Sequence, residues 1–578
     1  MKQSSIPSAR VVVSAFKSKG IKHIIISPGS RNAPLTISFT ENPFFKCYSI
    51  VDERSAAFFA LGMAMQQKEP VAVLCTSGSA LLNYYPAVAE AFYSCIPLVV
   101  VSADRPPYKI DVGDGQTIRQ DNVFNRHIGY SANLKLDVNH AINRLKRYAP
   151  SFLELSQQSI ISYNTQELEK ALNCAQKEQL PVHINVPFEE PLYELIDITV
   201  EEQDSLTNQV STHDELGAIQ SFQESWNNAK KKMVLVGVNH PNEIEKELID
   251  LLAEDPSVIV FTETTSNLHH PNFFPSIDSI IFPIEKSNLS ENLFKDLQPE
   301  ILLTFGGLIV SKKIKAFLRQ YQPKLHWHVD EVKAYDTYFS LTHHFKTKPN
   351  LFLKTVLNNQ YTFSDYFEKW NTVKLNYQNK RNNYLKKVPF SDFLVFYELA
   401  KTIPKDYQVH LANSSSVRYA QLFDMDESVT VFCNRGTSGI DGSTSTAVGA
   451  SVVCNTPTLL ISGDLSFFYD SNALWNNYIK KDFRIIIINN SGGGIFRILP
   501  GNDDSEKFET FFETSHKLSA YHISKQYGFD YQDARDASSL VQELKEFYEP
   551  STTPKILEIF TPRKVNNKIL LAYFDFIS

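Results

Sequence analysis

Short apolar runs alternate along this chain with longer segments of mixed polarity, and that alternation predicts its elements. "IKHIIIS", "VAVLCTSG" and "PLVVVSADRP" are near-continuous apolar runs of strand length, the pattern of strands covered on both faces. Between the last two, "SALLNYYPAVAEAFYSC" has helical spacing, and a further helix is expected to begin near Ala33, after the turn "PGSR". Val71 to Pro97 is 26 residues, close to the size of a strand–helix–strand unit, and repetition of that unit implies a parallel sheet with helices on both faces. "LPVHINVPFEEPLY" reads as the closing strand and exit of this region near residue 190. The polar stretch "EEQDSLTNQVSTHDE" reads as a linker.

A second set of apolar runs follows: "KKMVLVGVNHP", "SVIVFTET", "ILLTFGG" and "LHWHVD". A charged, aromatic segment from about 350 to 390 reads as helical connection, and a third set comprises "DYQVHLANS", "TVFCNRG", "PTLLISGD", "FRIIIINNSGG" and "KILEIFT". The predicted fold class is α/β in three domains, each a mostly parallel sheet flanked by helices. Their spans are 1–190, 205–350 and 391–578, with a helical linker over 351–390.

Candidate chemistry lies at the strand ends, where ligands bind in doubly wound sheets. One strand ends in Gly463-Asp464 and the next in Asn489, Asn490 and a run of glycines. Asp464 and Asn490 are 26 residues apart, a spacing that sets both at neighbouring strand ends. A carboxylate, an amide oxygen and a free carbonyl in a glycine turn are hard oxygen ligands suited to Mg²⁺ holding a phosphate. Taken singly, Gly-Asp or Asn-Asn is an ordinary turn or cap; the ordered pair, each after a buried strand, is not. In the first region, "CYSIVDERSAAFFALGMAM" sets Glu53 between a strand and an Ala-rich helix.

Composition narrows the class. With 578 residues, the chain is too long for one core. A hydrophobic content of 43% and a charged content of 21% are those of a globular protein, and no apolar run of about 18 residues predicts a membrane span. The formal charge of −7 gives no overall basic field for nucleic acid, so any cationic site is local. The six cysteines are scattered without a CxxC pair, and the apolar run Val11 to Phe16 is broken by Lys17, so the chain reads as cytoplasmic, with reduced thiols and no signal peptide. No HExxH or Cys–His pairing predicts zinc, and His343-His344 reads as surface. No GxGxxG follows an early strand, which disfavours a dinucleotide-binding dehydrogenase.

The Gly-Asp and Asn-Asn pair resembles the metal–diphosphate motif of thiamin diphosphate enzymes. A narrower resemblance follows from "SPGSRNAPL", "VDERSAAFFALGMA", "TSGSALLNYYPAVAEA", "PLVVVSADRPP", "NRGTSGIDGSTSTAVGAS" and "SGDLSFFYDSNAL". In that order these are similar to the 2-succinyl-5-enolpyruvyl-6-hydroxy-3-cyclohexene-1-carboxylate synthase family of menaquinone biosynthesis. The resemblance implies a pyrimidine-binding first domain, a diphosphate-binding last domain, and decarboxylation of 2-oxoglutarate with 1,4-addition of the resulting carbanion to isochorismate. It implies cofactor contacts at Glu53, Ser79, Ile440, Asp464, Leu465, Asn490, Ile495 and Phe496, with Asp464, Asn490 and Gly492 on the metal. Glu53 would hold the pyrimidine, and Ile440 would be the apolar wedge beneath the cofactor. Ser30, Arg31, Arg105 and Gln116 would face isochorismate, while Ser414, Arg418 and Arg435 would hold the distal carboxylate derived from 2-oxoglutarate. Lys312, Lys313 and Leu499 complete the substrate set, and a homodimer or dimer of dimers is implied.

Both substrates are dicarboxylates, and arginine is suited to bidentate carboxylate binding, which agrees with arginines at loop and strand-end positions. Alone, each arginine reads as a surface ion pair. The chain departs from the family at Lys313, where an Arg is expected, at Ser491 and Gly494 within the glycine run, and at Gly115, where an Asn is expected. Alternatives are an acetolactate-synthase-like thiamin enzyme and a non-catalytic cofactor-binding scaffold; retention of Glu53, Asp464 and Asn490 together argues against the latter.

Overall fold

The structure, a computed structural model, describes residues 2–197, 219–220, 222–358, 360–498 and 505–578. The polar stretch over 201–215 and Leu499 lie outside the described residues. The chain forms two compact units. The first comprises Met1–Asn208 with Gly436–Asn455 and Tyr469–Phe483; the second comprises Gln209–Arg435, Thr456–Phe468 and Arg484–Ser578.

The first unit holds a six-stranded parallel sheet, in the order Lys46–Ser49, His23–Ile26, Val71–Cys75, Leu98–Asp104, Val182–Pro187, Tyr130–Asn133. Its central strands are the continuous apolar runs, buried at every position, because helices cover both faces. The order reverses between His23–Ile26 and Val71–Cys75, so the loops after those strands flank a crevice of the kind that takes ligands. The expected single helix over 79–95 is two, Ser79–Asn83 and Tyr85–Ser94, with Pro86 in the first turn of the second, where its missing N–H costs nothing.

Helix Glu53–Gln67 packs on helix Ser443–Val453 within this unit, backbone to backbone. A Cβ on Gly62 would collide with the carbonyl of Thr446, and one on Gly449 with the carbonyl of Phe59. The neighbours are small too: Ala56, Ala57, Ala60, Ala447 and Ala450 are buried.

The second unit holds two parallel sheets. One runs Val258–Phe261, Lys232–Val236, Ile301–Phe305, Leu325–Val329, His343–Phe345. The other runs Thr430–Phe432, Gln408–Leu411, Thr458–Gly463, Arg484–Asn489, Lys555–Phe560, Asp530–Ala534, with its order reversing between Gln408–Leu411 and Thr458–Gly463. Helices Pro349–Val356 and Tyr366–Leu385 join them in the chain. Strand Arg484–Asn489 is buried at all six positions, which accounts for its four isoleucines.

The strands without a sequence signal are edge strands. Tyr130–Asn133, His343–Phe345 and Asp530–Ala534 are short and mostly half-buried, so polar residues serve in them. The surface reading of His343-His344 is corrected accordingly. Both are half-buried in the edge strand, and His344 Nε2 lies 2.8 Å from the carbonyl oxygen of Asp330. None of the six cysteines is in a disulfide, and four of them are buried.

Candidate active site

In the second unit the proposed metal ligands meet at adjacent strand ends. Strands Thr458–Gly463 and Arg484–Asn489 are paired, so Asp464 and Asn490 leave the sheet side by side. Asp464, 2% exposed, accepts hydrogen bonds from the Gly492 N–H at Oδ2 (3.0 Å) and from the Leu465 N–H at Oδ1 (2.7 Å). Gly492 has φ +148°, and a Cβ there would press on the carbonyl oxygen of Glu513, so only glycine carries the chain past this point. Asn490 donates from Nδ2 to Asp392 Oδ2 (3.0 Å), while its Oδ1 is buried with no hydrogen-bond partner among the described residues. A buried amide oxygen without a donor costs about 1–3 kcal/mol. Next to a carboxylate it is a cation ligand in waiting, so the residues present fit a hard divalent ion.

Two neighbours had no sequence signal. Asp392 is buried at the start of helix Asp392–Thr402, and burial pushes its carboxyl up to about 6 while hydrogen bonds from Thr561 and Asn490 oppose the shift. The segment 508–518 straps the glycine turn: Gly493 N–H donates to the carbonyl of Glu513 (2.6 Å) and His516 N–H to that of Ser491 (3.2 Å). His516 Nε2 stands 3.2 Å from Asp464 Oδ2, within ion-pair range but off the line of a hydrogen bond. Ile495 and Phe496 follow in the turn Gly494–Ile498, with Phe496 37% exposed.

Two arginines of the expected substrate set, Arg418 and Arg435, lie near the start of helix Ser415–Ala420. Arg418 is within that helix rather than in a loop as expected, because Ser414, at φ 70°, turns the chain straight from the strand end into it. Arg418 Nη1 donates to the Ser414 carbonyl (2.6 Å), and Arg435 Nη1 to Asn413 Oδ1 (2.6 Å). Burial, then the charge of Arg435, lowers the Arg418 pKa. Lys315, also lowered by burial, and the buried Glu263 share this field. Lys313 is paired with Glu285 and lies 4.4 Å over the Phe282 ring, and Lys312 is exposed at the first position of helix Lys312–Gln320.

In the first unit, Arg31, Arg105 and Gln116 come together with Lys109, Asp114, Gly115 and Glu190 around a cleft of about 420 Å³. Arg31, 4% exposed, donates to the Phe188 carbonyl (2.9 Å) and to Glu190 Oε1 (3.2 Å), and its Nε is buried with no partner among the described residues. Burial first, then Arg105, lowers its pKa, and Glu190 opposes both. Arg105 donates to the Gly115 carbonyl (2.9 Å), a contact that any residue at 115 would offer. Ser30 is exposed in the turn before Ala33.

Glu53 is the first residue of its helix, where the dipole favours a carboxylate. Its Oε2 accepts from Asn83 Nδ2 at 3.4 Å. Both neighbours in sequence are tied down: Asp52 accepts from Asn472 Nδ2 (2.8 Å) and the Ser55 N–H (3.2 Å), and Arg54 donates to the Tyr469 carbonyl (3.0 Å). Ser79 opens the short helix Ser79–Asn83 after Gly78, which has φ +93°. Ile440 is 39% exposed, downstream of Gly436 and Thr437, whose N–H groups both donate to the buried Glu90 at 2.6 Å.

The chain matches known families along much of its length. The family described as the N-terminal TPP binding domain of thiamine pyrophosphate enzymes matches residues 8–125, and the middle domain of thiamine pyrophosphate enzymes matches residues 200–411. The chain is 54% identical over 579 residues to the 2-succinyl-5-enolpyruvyl-6-hydroxy-3-cyclohexene-1-carboxylate synthase of Christiangramia forsetii, covering 100% of both chains. It is 52% identical to that of Flavobacterium psychrophilum, with 98% of each covered, and 38% identical to that of Porphyromonas gingivalis, with 98% of this chain and 96% of the relative covered. The chain therefore belongs to the 2-succinyl-5-enolpyruvyl-6-hydroxy-3-cyclohexene-1-carboxylate synthase family of thiamine pyrophosphate enzymes.

Proposed function

We propose that this chain joins 2-oxoglutarate to isochorismate, releasing CO₂ and forming 2-succinyl-5-enolpyruvyl-6-hydroxy-3-cyclohexene-1-carboxylate, the compound named in its relatives. The reading of the substrates is carried by the cleft of the first unit, where Arg31, Arg105 and Lys109 converge in a protein of net charge −7. Such a cleft takes an anion, and its guanidinium groups are suited to a carboxylate.

Thiamin diphosphate, when bound, supplies a carbon nucleophile and an electron sink for decarboxylation. Asp464, Asn490 and the Gly492 carbonyl would hold Mg²⁺ or Mn²⁺ against its diphosphate. Glu53 would hold a proton at the pyrimidine ring nitrogen, and Ile440 would support the cofactor's bend. Leu465, Ile495 and Phe496 would exclude water around it, with Ser79 contributing a polar contact. Ser414, Arg418 and Arg435 would orient 2-oxoglutarate by its distal carboxylate. Ser30, Arg31, Arg105 and Gln116 would orient isochorismate, with Lys312 as a further cation. Lys313, paired with Glu285 and lacking the planar fork of arginine, would act at most as a point charge. We assign the working form to a homodimer or dimer of dimers in the cytoplasm.

Mass spectrometry of the products from 2-oxoglutarate and isochorismate, with thiamin diphosphate and Mg²⁺, tests the reading. The expected product contains the succinyl carbons and the isochorismate ring. Acetolactate formed from pyruvate instead, with no isochorismate consumed, would replace it with the acetolactate-synthase-like alternative.

A further inference from the structure

We propose that Asp392 is the positioning residue that turns the amide oxygen of Asn490 toward the metal, and that it thereby sets the affinity of the cation site. The amide of Asn490 has a donor end and an acceptor end on one carbon. An ionised carboxylate only accepts, so the contact between Asp392 Oδ2 and Asn490 Nδ2 (3.0 Å) decides which end faces the other way. The end left over is Oδ1, buried and without a partner among the described residues, on the turn whose Gly492 N–H donates to Asp464 Oδ2.

Asp392 is itself immobilised. Its Oδ1 accepts from Thr561 Oγ1 (2.6 Å), and its N–H donates to Asn566 Oδ1 (3.0 Å). One residue, 2% exposed, thus ties the ends of strands Arg484–Asn489 and Lys555–Phe560, through its carboxylate, and the start of helix Asn566–Ile577, through its N–H, to the start of helix Asp392–Thr402. A neutral asparagine or serine at 392 could donate as well as accept, leaving the orientation of the amide open. The carboxylate also polarises the amide through its N–H, drawing electron density onto Oδ1 and making it a better cation ligand.

This inference rests on the metal reading above. The test uses the full-length chain with thiamin diphosphate and Mn²⁺. Free Mn²⁺ is followed by electron paramagnetic resonance, cofactor affinity by calorimetry, and the fold of each variant by circular dichroism. Asp392→Asn should weaken Mn²⁺ binding about 10- to 100-fold. Asn490→Asp should also weaken it, although it adds a charge to the ligand set, because two buried carboxylates then face each other. The swap Asp392→Asn with Asn490→Asp restores a donor–acceptor pair of reversed polarity and should bind Mn²⁺ more tightly than either single variant. A residue that merely braces the fold would lower the melting temperature without moving the Mn²⁺ affinity, and a swap weaker than both single variants would also overturn the inference. If Asp392→Asn does not fold, Asn490→Asp alone decides: tighter Mn²⁺ binding than wild type overturns it. Wild-type cofactor binding that is indifferent to divalent cations would instead remove the metal reading itself.

Discussion

At the scale of single residues, one acid and two arginines carry separable work. Glu53→Gln keeps the shape of the side chain and its contact with Asn83 but removes the basic carboxylate. Hydrogen–deuterium exchange at C2 of bound thiamin diphosphate should slow by several orders of magnitude, and exchange at the wild-type rate would remove Glu53 from the mechanism. The arginines divide between the substrates. Arg418→Ala should impair decarboxylation of 2-oxoglutarate measured without isochorismate, whereas Arg31→Ala should leave that half nearly intact and raise the isochorismate concentration required. Each loss corresponds to a charge-assisted hydrogen bond of about 1.5–3 kcal/mol, or roughly 10- to 150-fold. Equal loss of decarboxylation in both variants would refute the two-pocket assignment. Asp464 and Asn490 stand out in the sequence only as an ordered pair, each after a buried strand, whereas Glu53 follows the part-exposed strand Lys46–Ser49 and is singled out by the family resemblance. Asp392 and Glu90 do not stand out. Asp392 looks like an ordinary first-turn acid until its partner 98 residues away is known, and Glu90 meets Gly436 across 346 residues.

At the scale of elements, two buried carboxylates hold segments at the site. Glu513 receives Arg497 through Nε (2.5 Å) and Nη2 (2.6 Å), with Arg563 Nη1 at 3.3 Å, fixing the strap 508–518 against the turn that carries Ile495 and Phe496. Glu513→Ala removes both short contacts of the buried Arg497 and leaves it the longer pair with Glu509 (3.6 Å). The expected destabilisation is about 3–5 kcal/mol, read as a lower denaturation midpoint. Glu263 works in the field of Arg418 and Arg435: its two oxygens accept the N–H groups of Val310 and Ser311 (both 2.7 Å) ahead of helix Lys312–Gln320. Burial raises its pKa from 4.5 to about 7, against the pull of those backbone donors. A carboxyl whose folded pKa lies above its unfolded one favours the fold at low pH. Its contribution is complete below pH 4.5 and is lost as pH rises through about 7, at up to about 1.4 kcal/mol per pH unit. Urea denaturation at pH 5, 6 and 7 should show that decline in the wild type and a flatter profile in Glu263→Gln. A profile of the same slope in both would remove Glu263 as its source.

At the scale of the whole molecule, apolar patterning reveals the three parallel sheets through their central strands, because burial on both faces demands unbroken apolar runs. The edge strands escape it, since half-burial tolerates residues such as Tyr130, His343 and Asp530. What periodicity cannot carry is partner choice. Nothing in "GSTSTAVGAS" states that it packs on a helix near the other end of the chain, although its small residues permit the approach. That pairing has a consequence for synthesis. The flat, alanine-lined face of Glu53–Gln67 emerges from the ribosome long before Ser443–Val453 exists to cover it. At about 5–20 residues per second the wait is on the order of 20–80 s. Throughout that interval the small-residue face of the nascent helix lacks the partner that buries it in the finished fold.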